Sequence, residues 1–167
     1  MPVELQEGQL TFTFPDDWVA SKYDAWAFYR NQFVKQLAGI QAVDFIAIDP
    51  RGTAYLIEVK DYRHPNTDKP SQLAQTIANK VLMTLAALLP CRLNGTDASE
   101  QATAKRTLNC KRLRVVVHIE QPKGRMPIVD LADLRMKLKQ VVRAVDAHPK
   151  VATMQTMTDR GLGWSVK

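Results

Sequence analysis

Cysteine is nearly absent from this chain. Its 167 residues include two, Cys91 and Cys110, too few for a disulfide framework and not at metal-ligand spacing, so both read as reduced thiols. The three histidines, His64, His118 and His148, are scattered and form no zinc pattern. Phosphate-cradling glycine loops are missing, because Gly161-Leu162-Gly163 alone is too short a signal. No apolar run approaches the roughly 20 residues that span a bilayer. Met1-Pro2-Val3-Glu4-Leu5 lacks the basic segment and apolar core of a signal peptide. There is no internal repeat or low-complexity stretch. Together these absences set aside a disulfide scaffold, a zinc domain and a membrane protein, and they favour a cytoplasmic location.

What remains is ordinary globular composition, 46% apolar and 24% charged, enough for one domain over residues 1–167 with a real core. Charge is divided unevenly. Residues 1–100 carry nine Lys/Arg against twelve Asp/Glu, and residues 101–167 carry fourteen against five. An acidic half beside a basic half suits a polyanionic substrate, although many small proteins are basic without a specific reason.

The most informative stretch is a hairpin. Ala42–Ile48 and Tyr55–Lys60 are strand-like, and Pro50-Arg51-Gly52 suits a three-residue loop with Gly52 left-handed. That loop pairs Asp49 with Thr53, Ile46 with Leu56 and Asp44 with Glu58, and alternation brings Lys60 to the same face. A one-residue slip would carry Asp44 to the other face. In this register two carboxylates stand roughly 5 Å apart at Cβ with an ammonium diagonal to them. Such a pair repels unless a cation intervenes, and Mg2+ accepts carboxylate oxygens while keeping sites for water and phosphate.

Asp44 on one strand with Glu58-Val59-Lys60 on the next resembles the PD-(D/E)xK nuclease superfamily over residues of about 22–81. The resemblance implies a restriction-endonuclease-like α/β core, a small mixed sheet flanked by helices. It also implies Mg2+, or Mn2+, held by Asp44, Glu58 and the carbonyl of Val59, with Lys60 positioning water or stabilising charge. Val43 stands where the family often has proline, and residues 39–42 leave no room for the strand that usually precedes the aspartate. Three residues are supporting candidates by the same resemblance: Asp24 on the first helix, and Gln75 and Lys80 on a later one. Asp24 could equally cap its helix.

Periodicity places the other elements. A strand is expected over Gln9–Phe14 and a helix from Ser21 or Asp24 to Leu37. A second helix, capped by Ser71, should run to about Leu89, with a loop from Pro90 to Ser99. A short helix over Ser99–Leu108, a strand over Arg112–Glu120 and a helix from Asp130 to about Val145 follow. Val151–Thr156 and Leu162–Val166 would close the sheet with one or two strands. Arg135, Lys139 and Arg143 recur every four residues, a stripe able to track a phosphate backbone or simply to meet solvent.

These features predict a Mg2+-dependent nuclease acting on DNA rather than RNA. The alternative is a non-catalytic nucleic-acid- or protein-binding module on the same fold, serving defence, toxin or immunity. Nucleic acid is the expected partner, a homodimer or a protein partner is compatible with it, and a membrane is not expected.

Overall fold

The computed structural model describes residues 1–167. Its chain order is β1 (Val3–Glu7), β2 (Leu10–Phe14), β3 (Val19–Lys22), α1 (Ala27–Asn31), β4 (Phe45–Ile48), β5 (Thr53–Asp61), α2 (Leu73–Asn94), α3 (Ala98–Leu108), β6 (Arg112–Glu120), α4 (Leu131–Val141), β7 (Lys150–Ala152) and β8 (Ser165–Val166). Short 3-10 turns at Tyr23–Ala25 and Phe33–Lys35 flank α1.

The architecture is mixed α/β with two sheets. Five strands lie in the order β3-β4-β5-β6-β7, and three in the order β1-β2-β8. Strands β3, β4 and β5 are antiparallel neighbours, whereas β5, β6 and β7 are parallel. Parallel neighbours need crossovers, here α2 with α3 and then α4. Alternation along the strands sorts the core into two layers. Leu56, Val115, Val117 and Ile119 join Ile77, Val81 and Leu88 of α2 and Leu138 of α4. Ile57, Val59 and Val116 join Phe12 and Phe14 of the second sheet. The five-stranded sheet is therefore covered by helices on one face and by the smaller sheet on the other.

The hairpin register is the expected one. Ile46 pairs with Leu56, Gly52 has φ 83°, and the Asp49 N–H donates to the Thr53 carbonyl at 3.0 Å. Several other expectations are corrected. The single first helix is broken into two 3-10 turns and one α-turn, because Trp26 is extended at ψ 136° and Leu37 is left exposed. The exposed α1 N–H groups are satisfied from afar: the Glu100 carboxylate accepts from Ala27 at 2.6 Å and Phe28 at 3.0 Å. A strand precedes this segment, since β3 pairs with β4 and supplies the edge neighbour that the short stretch before Asp44 could not. Strand β1, over Val3–Glu7, was not foreseen.

Helix α2 starts at Leu73 without a Ser71 cap, and it continues through Pro90 to Asn94. Burial of Leu88 and Cys91 against the core outweighs the hydrogen bond that proline removes. With 22 residues and a mean hydropathy of 1.3, α2 is long and apolar enough to cross a membrane by length and composition alone. Here it is a core helix, packed against α3 and α4. Helix α4 ends at Val141, and the turn beyond it brings the Asp146 carboxylate to Arg114 Nη1 at 2.8 Å and the Val115 N–H at 2.9 Å. The tail serves both sheets: β7 extends the larger and β8 the smaller.

Candidate metal centre

Asp44 immediately precedes β4, so the pairing of Phe45 with Ile57 sets it against Glu58. Both carboxylates face the helical layer, and both are buried, Asp44 at 8% exposure and Glu58 at 1%. Asp44 Oδ2 accepts the Val59 N–H at 2.6 Å. Burial holds the Asp44 carboxyl well above the ordinary aspartate range, the neighbouring Glu58 pushes it further, and the Val59 N–H only partly opposes them.

Two lysines converge on Glu58. Lys80 Nζ, from α2, lies 2.6 Å from Glu58 Oε1, and Lys60 Nζ, two residues along β5, lies 3.3 Å from the same oxygen. Burial works against the Lys80 ammonium, but Glu58, by charge and hydrogen bond, raises it above its usual value. The other Glu58 oxygen, Oε2, is buried without a hydrogen-bond partner. An unpartnered buried carboxylate oxygen is costly and calls for a donor or a cation.

Asp24 occupies the 3-10 turn after β3 and caps no helix. Its Oδ1 is likewise buried and unpartnered, and burial raises its carboxyl against the pull of Lys22. Glu7, at the end of β1, closes the group: one ligand oxygen each from Glu7, Asp24 and Asp44 lie within 4.8 Å of one another. Lys22 also contacts Glu7, at 2.6 Å. Four carboxylates thus meet three ammonium groups from five segments of chain. An all-oxygen donor set of this kind fits a hard divalent cation.

Of the anticipated residues, Asp44, Glu58, Lys60, Lys80 and Asp24 come together. Val59 takes part through its N–H, bound to Asp44. Gln75 stands apart: it is exposed, bonds Asn79 at 3.1 Å, and lines a cavity of about 420 Å³ between the start of α2 and α4. Arg135 and Lys139 line a different cavity with His148 and Lys150, while exposed Arg143 lies beyond the end of α4. Glu7 was missed. Nothing in the sequence near it marks a site, and only the docking of the smaller sheet delivers it.

The fold and cluster define a three-layer α/β domain with a buried carboxylate–lysine site. No family model matches the chain, and no solved structure matches it. Over 205 aligned positions it is 31% identical to the cysteine–tRNA ligase of Neisseria meningitidis serogroup A, an alignment that takes in 97% of this chain and 29% of that protein. The chain therefore spans under a third of that relative's length.

This similarity corrects the functional expectation. The relative is an enzyme named for ligating cysteine and tRNA, a bond-forming reaction, and not for phosphodiester hydrolysis. Both a DNA-directed nuclease and a defence or toxin module give way to it. The error has a physical source: two carboxylates beside lysines suit a metal ion and a phosphate, whichever bond the site serves.

Proposed function

We propose that this chain is a domain of tRNA-directed enzymology that binds Mg2+ in the Asp44–Glu58 cluster and, at that site, a phosphate of its RNA. One observation carries the reading: the buried, unpartnered Glu58 Oε2 beside an Asp44 carboxyl that burial and Glu58 hold high. Lys60 and Lys80 both reach the other Glu58 oxygen, so Oε2 and the Asp44 carboxyl are open to a further cation. Asp44, Asp24 and Glu7, whose oxygens lie within 4.8 Å of one another, would hold Mg2+ with Glu58 beside Asp44, and Mn2+ would substitute. The bound ion would supply Lewis-acid polarisation of a phosphate oxygen. Lys60 and Lys80 would then be freed from neutralising Glu58 and would face the phosphate. The tRNA part of the reading rests on the relative's name, and a longer ligase or a separate partner protein would provide the remaining chemistry.

The cluster's place in the fold supports a PD-(D/E)xK-type core, with β4, β5 and α2 presenting Asp44, Glu58, Lys60 and Lys80. A cytoplasmic location belongs to the same reading. The test is calorimetric titration with Mg2+ and Mn2+. Saturable binding by the wild type, weakened at least tenfold in Asp44→Asn and in Glu58→Gln, is expected. Equal heats for all three proteins would remove the metal centre.

A further inference from the structure

A second charged region lies at the opposite end of the parallel strands. Thr53 and Arg112 pair at the start of β5 and β6, five residues before Glu58, a separation of about 17 Å along the strand. There a cavity of about 440 Å³ is lined by Arg51, Lys111, Arg112, Arg114 and Lys150, with no acidic residue in its wall. A second cavity, of about 660 Å³, is lined by Arg135, Lys139, His148, Lys150 and Arg160, with Asp159 its one carboxylate. Lys150, at the start of edge strand β7, belongs to both.

Few of these cations are neutralised. Arg51 has a long contact to Asp49 at 3.6 Å, and Arg114 is paired with Asp146 at 2.8 Å. Lys111, Arg112, Arg135, Lys139, Lys150 and Arg160 take part in none of the protein's ion pairs. Lys150 registers the crowding. Burial lowers its ammonium, Arg114 and Arg160 lower it further against the opposing pull of Asp146, and its Nζ donates to the Arg160 carbonyl. Collecting like charge around concave surface costs self-repulsion, and a polyanion relieves it while releasing its own counterions. The concavity and the arginine forks suit phosphate oxygens entering two adjoining pockets better than a flat anionic surface.

We infer that the two cation-lined cavities joined at Lys150 form a continuous RNA phosphate-backbone-binding surface, separate from the carboxylate cluster. Its ligand is a run of successive phosphates that passes around the β7 edge from the β5–β6 end to the exposed face of α4. The inference takes tRNA as its probe from the function proposed above, but its residues and readout are independent of the metal.

Fluorescence anisotropy with labelled tRNA, repeated across a salt series without divalent cations, tests it. Two double variants, Lys111→Ala with Arg112→Ala and Arg135→Ala with Lys139→Ala, remove exposed side chains from either cavity. Each is expected to weaken binding about tenfold and to flatten the log–log salt slope by about 1.5. Arg143→Ala, outside both cavities, should bind as the wild type does. Both double variants should keep the wild-type Mg2+ heats while losing tRNA affinity, so failure of the metal reading and failure of this one are distinguishable. Unchanged affinity and slope in both double variants would overturn the inference. So would variants that lose binding to phosphatidylserine–phosphatidylcholine vesicles yet keep tRNA affinity.

Discussion

Asp44 and Glu58 sit where a protein concerned only with stability would place apolar side chains. Each faces the helical layer in line with Ile46 and Leu56, and the two repel across the hairpin. Asp44→Asn keeps an oxygen for the Val59 N–H and removes one buried charge. Stability should therefore rise by about 1 kcal/mol in denaturant melts without divalent cations. Lys80→Met works in the other direction. It strips Glu58 of its 2.6 Å partner and should cost about 3 kcal/mol. A stabilised Lys80→Met protein would show that the pair does not hold α2 to β5. Glu120 offers a separate pH signature. Burial works against its carboxylate, but His118, 3.0 Å away, and the Met154 N–H outweigh burial and hold it below the ordinary glutamate range. A depressed carboxyl stabilises the fold above its unfolded value, and that contribution is lost as pH falls through the folded one. Glu120→Gln should flatten the acid limb of the stability–pH curve, measured by urea melts between about pH 3 and 6.

At the level of elements, α2 is the pivot. It crosses from β5 towards β6, carries Lys80 to the cluster, and buries Ile77, Val81 and Leu88. Ile77→Ala should cost about 2–5 kcal/mol because the surrounding core cannot fully collapse. Pro90 is the flaw in the same helix, removing one donor and crowding the preceding turn. Pro90→Ala should raise the thermal midpoint, with a gain of about 1–3 kcal/mol. An unchanged midpoint would mean that the chain already relieves the proline by local bending. The first helix teaches a complementary lesson. Trp26, Tyr29 and Phe33 have helical spacing, yet the segment divides at the extended Trp26, and Glu100 of α3 accepts the N–H groups of Ala27 and Phe28 that the break leaves free. Seventy-odd residues of sequence separation hide that bond from any local pattern.

For the whole molecule, charge separation is the organising fact. The carboxylate cluster gathers at one end of β5, and the unpaired arginines and lysines gather at the other. The uneven charge of the two chain halves anticipated this separation, but not its shape. The basic stripe read along α4 is only part of the surface: Arg135 and Lys139 belong to it, Arg143 does not, and Lys150, Arg112 and Lys111 come from other elements. The two sheets matter for the same reason. Strand β1, lying against the edge strand β3, brings Glu7 to Asp24 and Asp44 from a segment with no sign of a site.

The sequence alone determined the hairpin and the existence of β6, α2 and α4. Pro50-Arg51-Gly52 sets the turn, alternation sets which side chains share a face, and long periodic runs mark β6, α2 and α4; these are local constraints of backbone geometry and side-chain spacing. Tertiary structure decided the rest. The strand before the first helix, the Glu100 cap, the Glu7 contribution, the divided tail and the joined basic cavities all depend on groups distant in the chain meeting in space. No periodicity encodes such meetings, because they follow from how the layers pack and not from how any one segment folds. The chemistry of the site lies a step further still, since buried carboxylates beside lysines are compatible with more than one reaction.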